Sequence, residues 1–195
     1  MRTSVCVFCG SRPGNDPRYL EIAVATGIAI AKRGMTLVYG GAQAGLMGAL
    51  ADAALGAGGR VVGVMPKAMT DREIAHLGLA ELHITSSMHE RKEKMIALSD
   101  AFLALPGGFG TYDELFETLT LGQIGQHEKP NALLNALGFF DPLLALFRHT
   151  VATGFAPAEH AGLVVVGATP DEVLDGIAAW QPVRAGRLLD RAVKP

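Results

Sequence analysis

The sequence predicts an α/β fold in which a parallel sheet is covered by helices on both faces. Two observations carry this expectation. Short apolar runs alternate with longer helical stretches, and glycine-rich turns follow several of the apolar runs. The apolar runs are continuous rather than alternating, so both faces of each strand need cover, as in a parallel sheet.

Ser4–Phe8 is the first strand, and Gly10-Ser11-Arg12-Pro13-Gly14 turns the chain into a helix over Pro17–Arg33 that Gly34 stops. Thr36–Tyr39 is a strand, Gly40-Gly41 a turn and Gly45–Leu55 a helix. Arg60–Val64 is a strand ending at Pro66, with a short helix expected near Asp71–His76. Leu82–Ile84 is a strand, and Met88–Ser99 a helix with Met88, Met95 and Leu98 on one face. Ala101–Leu105 is a strand, Pro106–Gly110 a turn and Thr111–Gly122 a helix. Asn131–Leu134 and Leu163–Val166 complete the strands, followed by helices over Pro142–Thr153 and Pro170–Trp180. No linker or repeat divides the chain. A single domain is expected over 1–181, with a charged, loosely ordered tail over 182–195.

At 195 residues the chain is long enough to bury a sizeable core. Hydrophobic residues make up 49% and charged residues 18%, which argues against a disordered binding segment. The net charge of −2 provides no global basic field for nucleic acid, so an anionic ligand must be held by local groups. The start of the chain has no secretory pattern and no apolar stretch is long enough to span a bilayer, so the expected location is the cytoplasm, with no membrane partner. Cys6 and Cys9, the only cysteines, fall in and just after a buried strand, and no second pair exists to complete a zinc site. They are expected to pack, and no metal is expected.

The segment Pro106–Glu114, PGGFGTYDE, lies between a strand and a helix. Its glycines allow close backbone approach to a ligand, and free amides at a helix start attract phosphate. Gly40-Gly41 with Gly45 and Gly48 repeats the arrangement earlier in the chain. The segment is no Walker loop, because no G-x-x-x-x-G-K-[ST] occurs. It is no dinucleotide fingerprint either: Asp113 stands where a third glycine belongs, and carboxylates in a first helical turn would repel a pyrophosphate. A single phosphate beside a carboxylate fits better. Thr111-x-x-Glu114 also reads as a capping box, a pattern shared by Thr70/Glu73, Ser87/Glu90 and Thr169/Glu172.

Arg91 falls on the apolar side of its helix, whereas Glu93 and Lys94 face away. Either its stem packs while its head reaches water, or its head meets an anion such as phosphate or Glu114. His89-Glu90 and His127-Glu128 do not open H-E-x-x-H sites, because Glu93 and Asn131 occupy the second histidine position. No G-x-S-x-G nucleophile elbow occurs.

Together these segments resemble the LOG ("lonely guy") family of cytokinin riboside 5′-monophosphate phosphoribohydrolases. The family motif P-G-G-x-G-T-x-x-E matches Pro106–Glu114 in full, and M-x-x-R-K matches Met88–Lys92. S-V-x-V-F-C-G-S matches Ser4–Ser11, and V-Y-G-G…G-L-M-G matches Val38–Gly48; Ala42 departs from a frequent third glycine. The resemblance extends to about Trp180. It implies a three-layer modified Rossmann fold, a homodimer with sites near its interface, and no cofactor. It implies hydrolysis of purine riboside 5′-monophosphates (cytokinin-type or AMP) to free base and ribose 5-phosphate. Glu114 would stabilise the oxocarbenium-like state or activate water, with Arg91 orienting it. Gly107, Gly108, Gly110 and Thr111 would hold the 5′-phosphate, while Glu73, Met88, Lys92 and Thr120 would help bind the nucleotide. Glu114, placed in a first helical turn, would be biased toward its ionised form. Two other readings stand beside this one: a nucleotide-binding regulator without hydrolase activity, and a phosphoribosyl transferase, which would want a metal and an acidic pair at a strand end. Relatives have also been labelled lysine decarboxylases, but no pyridoxal-phosphate lysine setting is recognisable.

Overall fold

Seven strands form one sheet in the order β4-β3-β2-β1-β5-β6-β7, and every pairing is parallel. The computed structural model describes residues 2–70, 75–76 and 78–182. The strands are β1 (Ser4–Phe8), β2 (Thr36–Tyr39), β3 (Val61–Pro66), β4 (Glu81–Thr85), β5 (Phe102–Ala104), β6 (Asn131–Leu134) and β7 (Val164–Gly167). The helices are α1 (Arg18–Lys32), α2 (Gly45–Gly56), α3 (Lys67–Thr70), α4 (Met88–Ala97), α5 (Phe109–Gln123), α6 (Asp141–Ala152) and α7 (Pro170–Ala179). Short 3₁₀ segments at Ala136–Gly138 and Ala158–Leu163 were not expected from the sequence.

The continuous apolar strands are buried as their pattern requires. All five residues of β1, all six of β3 and all four of β6 are shielded from solvent. On one face the sheet packs against α1, α2 and α7. On the other, Met95 of α4 and Leu115 of α5 are fully buried, and each contributes about 2 kcal/mol through the area it removes from water. These are the three layers expected.

Three differences from the sequence expectations matter. A short helix not expected from the sequence follows β3 at Lys67–Thr70; most of the helix expected near Asp71–His76 (residues 71–74, with Glu73 among them) lies outside the described residues, as does the tail from 183. Second, α5 begins at Phe109 rather than Thr111, with Gly108 as its N-cap. Thr111 is therefore the third helical residue, and Glu114 the sixth. Third, Thr111 does not cap: among the described residues, no side chain bonds the free amides of α5. The capping pattern does operate at Ser87/Glu90 and Thr169/Glu172.

Strand order reverses between β1 and β5. The chain winds outward through β2, β3 and β4 on one side, then through β6 and β7 on the other. At such a switch point the loops leaving neighbouring strands diverge and open a crevice at the carboxyl ends. Here Gly10 donates its amide to Pro106 O at 3.1 Å and accepts from Leu46 N at 3.1 Å, which ties the loops after β1 and β5 to the start of α2.

Candidate active site

The crevice at the β1/β5 switch holds a cavity of about 590 Å³. The Pro106–Thr111 segment lines one wall, and Gly10, Ser11 and Arg12 lie beside it. Gly107 is required there: a Cβ would overlap the Thr111 hydroxyl and approach Gly10 N to 2.9 Å. Gly108 and Gly110 differ, because a Cβ on either would meet no protein atom within 4 Å. Their bare surface faces space that a ligand can use. The first amides of α5 have no side-chain cap, which leaves them able to accept an anion.

Arg91 forms the second part. The side chain is 8% exposed, and two strand-end carbonyls hold its guanidinium. Nε donates to Val64 O at 3.0 Å and Nη2 to Gly40 O at 3.3 Å. Gly40 is glycine for a steric reason: a Cβ would overlap Nη2. Nη1 remains, 3.7 Å from Glu114 Oε1 and 3.8 Å from Met88 Sδ. The separation from Glu114 exceeds a good hydrogen bond, so Nη1 keeps donor capacity for a ligand.

Glu114 faces the cavity from the second turn of α5. Burial pushes its carboxyl up from 4.5 to about 7. Arg91 and Lys92 oppose that shift, and Asp113 and Glu117 add to it. The expected first-turn bias toward the ionised form is thus overturned: the side chain sits one turn too deep, and burial outweighs the helix end. Cys9, also on the cavity wall, is pushed up by burial and by Glu114, so it stays a neutral thiol.

Apolar groups complete the walls. Leu46, Met47, Met69 and Met88 line the cavity together with Tyr19 and Phe139, whose ring centroids are 6.0 Å apart, edge to face. Phe139 is presented by the loop after β6, in which Leu137 adopts a left-handed φ of 56°. Asn135 braces that loop by accepting from Phe140 N at 2.7 Å and donating to Asp141 Oδ1 at 2.8 Å.

Of the site residues expected from sequence, Met88, Arg91, Gly107, Gly108, Gly110, Thr111 and Glu114 come together around this cavity. Lys92 and Thr120 do not line it. They lie in an adjoining groove of about 480 Å³ along the outer side of α5, with Phe109 shared between the two. The carbonyl slot of Arg91 and the contributions of Cys9, Tyr19, Met69 and Phe139 were missed. The Gly10-Ser11 turn directly after β1 was the signal for a further wall. Among the described residues, no group of three or more His, Cys, Asp or Glu side chains is placed to hold a metal ion.

A family profile described as "possible lysine decarboxylase" matches residues 47–177. A cytokinin riboside 5′-monophosphate phosphoribohydrolase of Rhodococcoides fascians is 50% identical over 164 residues, 83% of each chain. A probable enzyme of the same name from Oryza sativa is 47% identical over 170 residues, covering 87% of this chain and 76% of the relative. One from Arabidopsis thaliana is 39% identical over 178 residues, covering 91% and 84%. Among solved structures, a molybdenum cofactor carrier protein from Chlamydomonas reinhardtii superposes with a TM-score of 0.70 at 22% identity, over 91% of this chain and 96% of the other. That likeness is one of fold.

Proposed function

Because the chain belongs to the LOG family, whose curated relatives are named cytokinin riboside 5′-monophosphate phosphoribohydrolases, we propose that it hydrolyses the N-glycosidic bond of purine riboside 5′-monophosphates, releasing free base and ribose 5-phosphate. One observation carries the reading at this site: a buried carboxyl that titrates near 7 lies 3.7 Å from an anchored guanidinium, on the same helix whose uncapped start forms the anion wall.

The residues divide the work as follows. The α5 amides and Thr111 hold the 5′-phosphate, which fixes the ribose over Glu114 and Arg91. Loss of the base leaves positive charge on the ribose ring, and the ionised Glu114 stabilises it. A carboxyl that titrates near working pH is also well matched to take a proton from the attacking water. Arg91 Nη1 orients the carboxylate and binds ribose or phosphate oxygens. Met69 and Met88 offer an apolar wall to the base. Among the described residues, none of the side chains that line this cavity is a lysine, so the lysine decarboxylase description gains no support from it.

The enzyme is proposed to work as a cytoplasmic homodimer. Phe116, Leu146 and Val166 are 41%, 51% and 45% exposed and rim an apolar cavity of about 530 Å³ between α5, α6 and the edge strand β7. Phe116 and Thr120 also border the groove next to the active site, so a second copy seated there would adjoin it. Among the described residues, no helix is long and apolar enough to cross a membrane.

The test is incubation of the purified protein with AMP and isopentenyladenosine monophosphate, with chromatography for free base. Base release that disappears in Glu114→Gln supports the reading. Tight nucleotide binding without base release would instead identify a binding protein. Light scattering of the same sample, with Leu146→Asp as control, is expected to show a dimer that the substitution splits.

A further inference from the structure

Arg91 and Lys92 are consecutive on α4 but serve different sides of α5. Arg91 faces the cavity, whereas Lys92 reaches outward across the adjoining groove. Its Nζ lies 3.3 and 3.1 Å from the two Asp113 oxygens and 3.2 Å from Glu117 Oε2. Asp113 precedes Glu114 by one residue and Glu117 follows it by three, so both carboxylates flank Glu114 on the same helix. Glu114, Glu117 and Lys92 also share the wall of a small crevice with Phe8, Met95 and Thr118. Glu117 Oε2 is shut off from solvent and makes no well-aligned hydrogen bond, so the Lys92 ammonium is what meets its charge. Stability does not demand such a cluster, since partly buried ion pairs are often replaceable by apolar packing at little cost.

We propose that Lys92 and Glu117 are positioning residues for the hydrolysis: Lys92 locks Asp113 and Glu117 beside Glu114, and the balance of their charges decides whether Glu114 is ionised when substrate arrives. The inference rests on the reading of Glu114 as the working carboxylate. Among the described residues, the charged groups that act on Glu114 are Arg91 and Lys92 from α4, and Asp113 and Glu117 from its own helix. Cys6 and Cys9, from β1 and the turn after it, are kept neutral by burial. The two cations favour the carboxylate, and the two anions favour the acid. Removing the Glu117 charge therefore lets Glu114 ionise at lower pH. Removing the Lys92 charge does the reverse.

The experiment is the pH dependence of kcat/KM for a purine riboside monophosphate in the wild type, Glu117→Gln, Lys92→Met and Lys92→Arg. The wild-type rate is expected to rise through about pH 7, where Glu114 titrates. The midpoint should fall in Glu117→Gln and rise in Lys92→Met, each by about half a unit or more. Lys92→Arg keeps the charge and should restore the wild-type midpoint. Shifts in the same direction, or lower rates with an unchanged midpoint, would overturn the proposal. Carboxyl-carbon NMR of the Glu114 titration in the same proteins needs no turnover. Identical titrations there would sink the proposal even in an active enzyme, whereas a wild type that releases no base would sink the hydrolase reading alone.

Discussion

Ser87–Glu90 and Thr111–Glu114 share one spacing, a hydroxyl followed three residues later by a carboxylate, and both lie at the start of a helix after a strand. At the first, Ser87 is the N-cap of α4, in extended conformation, and its Oγ accepts from Glu90 N at 3.1 Å. Glu90 Oε2 reaches back to accept from Ser86 N at 2.7 Å and from the Ser86 hydroxyl at 2.6 Å, bonds that hold its carboxyl below the usual range. At the second, the helix has already begun at Phe109, with Gly108 as N-cap. Thr111 is buried inside the first turn, and Glu114 is carried a turn deeper, where burial pushes it up to about 7. The same three-residue spacing thus yields a cap in one place and a buried carboxyl with a raised pKa in the other. What separates them is the glycine pair: Gly107-Gly108 starts the helix without a side-chain cap, so the amides stay open for a ligand and the carboxylate is left for other work.

Four substitutions bear on that difference. Glu114→Gln should have the largest effect, lowering kcat about 10²- to 10⁴-fold as expected for loss of a general base. Its stability should move the other way. The folded carboxyl binds its proton more tightly than the unfolded one, so its ionisation costs nothing below pH 4.5 and the full amount above about 7. A shift of this size corresponds to at most about 3 kcal/mol. In urea melts the variant should match the wild type at pH 4.5 and be the more stable protein at pH 8. Gly40→Ala comes next: the new methyl takes the place of Arg91 Nη2, and about 100-fold loss in kcat/KM is expected from the displaced guanidinium. Gly108→Ala touches no protein atom, so Tm should hold while KM for the monophosphate rises. An unchanged KM would remove the phosphate from that wall. Ser87→Ala is the smallest, about 1 kcal/mol of stability lost with no change in pH–rate midpoint.

The fold was legible because the buried strands are continuous apolar runs, most of them followed closely by glycine or proline; the expected bounds of β1, β2 and β6 match those of the structure. The start of α5 was less so. Phe109 is 93% exposed, and an aromatic residue among glycines reads as part of a turn rather than as the first residue of a helix. Two residues of error there turned a deep carboxyl into an apparent cap. Arg91 and Glu114 were visible from spacing and motif. The slot that holds Arg91 was not, because it joins carbonyls 27 and 51 residues away along the chain. The same distance in sequence hides the partners of Lys92, which pairs with Asp113 and Glu117 next to Glu114 on α5.

The division of labour between the glycine wall and Glu114 is tested most directly by one comparison of rates: kcat/KM for a purine riboside 5′-monophosphate against the same riboside without its phosphate. The structure predicts ready release of base from the monophosphate and little from the riboside. Equal values for the two substrates would contradict it.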